Sequence, residues 1–218
     1  MTKNKITASD KKRITSDWNQ MIPSLGIYKP MHLINLIGPL LVGILLEVKS
    51  GNEKYIPTFH VHNLLRPFQV ISLGLNFEIT PITIGSHESK YYDSAMKMVE
   101  QAIVPFEGDL DLSTILNAYE QYFQKNIGGP ILPYIFEDIV LLSAWCEDKE
   151  RINKGLQLAE ANMRGWPEHI LNRLGGLDNW LISLKNNAEN RGELISILEN
   201  QIAELKVDNL PIRRLSCY

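Results

Sequence analysis

Apolar residues recur with a period of two over one stretch of the chain and at a helical spacing over the rest. After Pro39 the even positions Leu40, Val42, Ile44, Leu46 and Val48 are all apolar. Beyond Ser50-Gly51-Asn52-Glu53 the odd positions take over, at Tyr55, Pro57, Phe59 and Val61. Strict alternation marks half-buried strands, and a Ser-Gly-Asn-Glu segment between them marks a hairpin turn. Opposing Val48 to Tyr55 also opposes Ile44 to Phe59 and Val42 to Val61, so a single register brings two apolar faces together. Pro57 has no N–H for a ladder, which predicts an edge or a bulge there. Ile71, Leu73, Leu75, Phe77 and Ile79 predict a further strand, followed after Pro81 by Ile82 and Ile84 on the other parity. The pattern predicts three to four antiparallel strands, a small sheet between about residues 38 and 84.

Residues 8–22 predict a short first helix, capped by Ser9 or Asp10, with Ile14, Trp18 and Met21 on its apolar stripe. From about residue 89 the period changes to 3.6. Successive stripes run through Tyr91, Ala95, Met98 and Ala102, then Leu112, Ile115, Leu116, Tyr119 and Phe123, with Asp111 as an N-cap. Further stripes use Ile135, Ile139, Leu142 and Cys146, then Ile152, Leu156, Ala159 and Met163. Gly165-Trp166-Pro167 and Gly175-Gly176 bracket a short helix, and the last two begin at Leu177 and end near Leu205. Strands first and helices afterwards predict an α+β fold, with a C-terminal helical bundle or array over about 89–206. No Ser-, Gly- or Pro-rich linker divides the parts, so a single domain over 1–218 is expected.

Composition narrows the classes. The 218 residues are 44% hydrophobic and carry a formal charge of −3, which is ample for a packed core and excludes disorder. Pro30 to Leu46 holds no acid and no Lys or Arg over 17 positions. As a helix at about 1.5 Å per residue it would span roughly 25 Å, short of a hydrocarbon core of about 30 Å. His32, Asn35, Gly38, Pro39 and Gly43 also interrupt it, so a buried strand is predicted and no membrane segment. Met1 to Arg13 is polar, with five cations and no apolar run behind it, which predicts no secretory signal. The two cysteines, Cys146 and Cys217, suit a reducing compartment, one as a small core residue and one exposed, and a cytoplasmic location is expected.

Candidate chemistry is sparse. P-loop, Rossmann, nucleophile-elbow and paired C-x-x-C signatures do not occur. His60 and His62 would project from one strand face about 7 Å apart, within reach of one cation such as zinc. In the register above they lie over Gly43 and Leu41. They define one reading, a metal-dependent hydrolase, for which the sequence names no third ligand. His87 follows Ser86, and capping of a helix by Ser86 with Glu88 in the first turn accounts for that cluster. His32 and His169 stand alone. Asp109, Asp111 and Glu120 fall at positions 1, 3 and 12 of a calcium-loop pattern, but Thr114 replaces the obligatory glycine.

Charge layout points elsewhere. Between Glu88 and Glu150 there are 12 acids against four bases, a net −8 on a chain of −3. That balance argues against nucleic acid as a partner and suits steering of a basic protein. Glu107, Asp109, Asp111 and Glu120 are the candidate contact acids, with Tyr119 and Tyr122 as aromatic anchors. The expected function is non-enzymatic protein binding without a cofactor, of the kind an immunity-type inhibitor exerts on a nuclease toxin.

Overall fold

The computed structural model describes residues 5–49, 51, 53–67, 80–125 and 132–218. The chain divides into two compact units. One comprises Met1–His62, Phe68–Leu110 and Leu205–Ser216; the other comprises Asn63–Pro67, Asp111–Glu204 and Cys217–Tyr218. The fold is α+β, with the strands mostly in the first unit and most helices C-terminal.

In the first unit α1 (Ala8–Met21) is capped by Thr7, two positions before Ser9, the earlier of the predicted caps. Thr7 wins because Asp10 then occupies the third helical position and returns a bond to the Thr7 N–H, closing a capping box. The sheet follows as β1 (Gly26–Lys29), β2 (His32–Ile37), β3 (Leu40–Val48), β4 (Lys54–Asn63) and β5 (Ile82–Thr83), each antiparallel to the next where a pairing is defined. The Lys49 N–H donates to the Lys54 carbonyl at 3.1 Å, the rung next to the Val48–Tyr55 pair that alternation predicts. The apolar run 30–46 is thus the β2–β3 hairpin. Among the described residues β5 pairs only with Lys54 and Tyr55, so Pro57 lies beyond that short ladder. The alternation at Ile71–Ile79 falls outside the described residues.

β1 and β2 extend the sheet N-terminally past the predicted start near 38. Every residue of β2 is buried, so it carries no alternation to read. Gly43 makes its pairing with β3 possible: a Cβ there would sit 2.0 Å from the Leu33 carbonyl oxygen. Near the C-terminus β7 (Ile212–Arg213) runs parallel to β2 and bonds its Leu36–Ile37 end, while β1 bonds the other end of β2. A 3₁₀ turn, Ile84–Ser86, leads into α2 (His87–Gln101), which packs on α1. The short β6 (Leu110–Asp111) meets β8 (Leu215–Ser216), with the Leu110 N–H donating to Arg214.

The second unit is helical: α3 (Leu112–Lys125), α4 (Leu132–Trp145), α5 (Lys149–Met163), α6 (Glu168–Arg173), α7 (Leu177–Glu189) and α8 (Arg191–Leu205). Helix α4 packs against α3, α5 and α7 and is buried almost all round, with Ile135, Phe136, Val140 and Leu142 fully enclosed. Its approach to α5 is close enough that a Cβ at Gly155 would meet Val140 Cγ2 at 2.9 Å. A disulfide joins Cys146, just after α4, to Cys217. This corrects the picture of one core thiol and one exposed thiol, and it removes the argument from cysteine usage for a reducing, cytoplasmic setting. Among the described residues no helix is long and apolar enough to cross a membrane.

Candidate functional site

Three largely buried polar groupings occur among the described residues. In the first unit the Trp18 indole N–H donates to Tyr55 Oη at 3.1 Å. Tyr55 Oη lies 2.7 Å from His87 Nδ1, and His87 Nε2 lies 2.9 Å from Asp17 Oδ2. Because the indole occupies a lone pair of Tyr55, its phenol proton is directed to Nδ1, and the Nε2–H then donates to Asp17. Burial pushes the Tyr55 phenol well above its ordinary range, an effect the Trp18 bond opposes. His87 is fully buried and Tyr91 stacks on it at 4.8 Å. The network runs from Trp18, which is wholly enclosed, to Asp17, whose side chain is partly exposed. The chain therefore ties α1, β4 and α2 together.

His87 is accordingly a network residue and not an adjunct of a cap. Ser86 makes no side-chain cap to α2; it exchanges bonds with Thr83, 2.9 Å between hydroxyls, across the 3₁₀ turn. Asp17, His87 and Glu88 are the one group of three metal-ligating side chains close enough to share an ion among the described residues. Their donor atoms are already committed, Glu88 to Arg13 and His87 to Asp17 and Tyr55.

His60, one of the predicted metal pair, is hydrogen-bonded to a third histidine. His60 Nε2 lies 2.8 Å from His32 Nε2, so one imidazole donates to the other across the sheet. His32, expected to stand alone, is its partner. Both rings are neutral at pH 7: burial, then Lys29, pulls His32 down to about 4, and burial lowers His60 well below its ordinary value. His62 is buried two positions on. Among the described residues no carboxylate or cysteine joins these histidines in a three-donor group.

In the second unit Asp138 accepts from Asn63 Nδ2 at 3.1 Å and from Arg66 Nε at 3.0 Å, with both charges buried. Burial raises the Asp138 carboxyl while Arg66 opposes the rise. Its neighbour Glu137, raised chiefly by burial, accepts from the Trp180 indole at 2.9 Å. Tyr119 belongs to this cluster: it is wholly buried, with its hydroxyl beside Asp138. It is thereby unavailable as the partner-contact residue the aromatic pattern suggested, because its ring completes the buried stripe of α3. Tyr122, also proposed as an anchor, is half-buried.

The candidate acids separate into two groups. Glu107 and Asp109 are exposed in the first unit, on a turn whose Pro105, Glu107 and Gly108 carbonyls accept from the Arg213 guanidinium at 3.0, 3.0 and 2.7 Å. That cation offsets part of their field. Asp111, in the second unit, caps α3: its Oδ1 accepts the Ser113 N–H at 2.7 Å, and the Ser113 bonds hold its carboxyl below the usual range. Glu120 is exposed on α3 at the rim of a cavity of about 320 Å³ shared with Asn117, Arg151 and Lys154. Glu168, Asp178, Glu193, Glu199 and Glu204 are further exposed acids of this unit. They lie beyond the segment with the densest acid count, which is why sequence counting passed over them. No protein-family model, curated protein or solved structure matches this chain.

Proposed function

We propose that this chain is a non-enzymatic protein-binding protein that docks a basic partner through exposed acids of its helical unit, in the manner of an immunity-type inhibitor of a nuclease toxin. One observation carries the reading. The helical unit has 14 acidic and nine basic residues, a formal −5, and six of those bases are held by its own carboxylates. Glu120, Glu168, Asp178, Glu193, Glu199 and Glu204 face solvent outside any ion pair among the described residues. A surface on which acids outnumber bases presents net negative potential, and such a potential attracts a basic protein and raises its encounter rate about 10–10³-fold.

The test uses the full chain as bait against extract of its native host at low and high salt, with captured proteins identified by mass. A basic protein retained at low salt and released at high salt is the expected result. Glu120→Lys combined with Glu199→Lys should reduce its capture several-fold. Failure to retain a basic protein, or retention unaffected by both reversals, overturns the reading.

A further inference from the structure

The His32–His60 pair offers more than a bond between strands. The two rings stand on β2 and β4, and β3 runs between those strands. Their Nε2 atoms are 2.8 Å apart while the ring centroids are 4.9 Å apart, which is the separation of two imidazoles meeting nearly head-on. Such a contact needs a proton on one Nε2 and a lone pair on the other, so two ligating atoms already converge on one point. Both side chains are more than nine-tenths buried, and His32, at 8% exposure, lies nearer solvent than His60. Nδ1 of His60 is buried with no hydrogen-bond partner among the described residues. That ring therefore hands no proton onward, and its hydrogen bonding is confined to Nε2.

Coordination number decides which ion fits. Among the described residues no His, Cys, Asp or Glu, His62 included, adds a third ligating atom within 4.8 Å of both nitrogens. Zinc takes four ligands, and calcium or magnesium takes six or more, mostly oxygens, so two buried imidazoles serve none of them. A monovalent ion with a filled d shell, of the copper(I) class, is satisfied by two ligands and prefers nitrogen or sulfur to oxygen. Thiolate, the stronger ligand for such an ion, does not compete, because the chain's two cysteines are bonded to each other. At about 2 Å per metal–imidazole bond the two Nε2 atoms must part by about 1 Å, which small turns about the side-chain torsions supply. The bridging proton moves to Nδ1 of the ring that carried it, and none is released. We infer that His32 and His60 form a two-coordinate site for a copper(I)-class ion, held across β3 by β2 and β4.

Silver(I) is the probe, since it shares the charge, the filled d shell and the two-coordinate preference, and it needs no reductant that would open the disulfide. Titration of the full chain in chloride-free buffer should show one tight equivalent. In nitrogen NMR of the isotopically labelled wild-type chain, the Nε2 signals of His32 and His60 should shift together on binding, and their Nδ1 signals much less. His32→Gln and His60→Gln should each lower the affinity about a hundredfold, whereas replacing the exposed His169 with Gln leaves it unchanged. Zinc(II) should bind the wild-type chain far more weakly than silver(I). The spectra of the wild-type chain decide the matter even where a variant fails to fold. The inference is overturned if the chain takes up no tight silver(I), if bound silver(I) leaves the two Nε2 signals in place, if both histidine variants keep the wild-type affinity, or if zinc(II) binds as tightly.

Discussion

The His32–His60 pair imposes a pH signature on stability. An unfolded histidine takes up its proton near 6.5, whereas folded His32 resists until about 4. The folded state therefore keeps its full stability above pH 6.5 and loses it as pH falls from there towards 4, because only the unfolded chain is protonated in that window. At 1.36 kcal/mol per unit, the share of His32 approaches about 3 kcal/mol at the acid end. Urea midpoints at pH 7 and pH 4.5 should differ markedly in the wild-type chain and less in His32→Gln; equal differences would contradict the assignment. Arg66 and Asp138 make a separate claim. Arg66→Met leaves a buried carboxylate without its cation and should cost about 3–5 kcal/mol, whereas adding Asp138→Leu should recover much of that loss. Equilibrium unfolding of the single and double variants checks it. Neither pairing was legible in the sequence, since 28 and 72 positions separate the partners and no local pattern links them.

Elements were legible wherever one face is solvated. The period of 3.6 located α3, α5, α7 and α8, because each has a polar side to contrast with its buried one. The β3–β4 hairpin was legible from its turn and from the alternation at the ends next to it, where Glu47 and Lys54 are exposed and Tyr55 is buried, including the rung at Lys49 and Lys54. β2 was not, because burial of all six residues erases the alternation and the flanking glycines and prolines read as breakers. Its pairing rests on Gly43. Gly43→Ala pushes a methyl into the Leu33 carbonyl 2.0 Å away and should prevent the β2–β3 pairing, giving insoluble or unfolded protein on expression. A soluble variant with a wild-type thermal midpoint would contradict the strand approach described.

For the whole molecule, the count of acids was legible while their availability was not. Of the residues named from sequence, Tyr119 is enclosed, Asp111 is spent on a cap, and Glu107 and Asp109 lie exposed on the turn whose carbonyls hold Arg213; Glu120 remains exposed, and α8 adds Glu193, Glu199 and Glu204. The disulfide was equally hidden, since two cysteines 71 positions apart form no framework pattern. Closing so long a loop should stabilise the chain by about 4 kcal/mol on chain-entropy grounds, so Cys217→Ser should lower the urea midpoint clearly; an unchanged midpoint would contradict a formed bond. The central claim is that exposed carboxylates of the helical unit recruit a basic protein. Its most direct test is the association rate with the captured partner, measured against ionic strength. The account predicts a rate that falls steeply with salt, and a Glu120→Lys/Glu199→Lys chain that associates about tenfold more slowly with a shallower dependence. A rate indifferent to salt and to both reversals would contradict it.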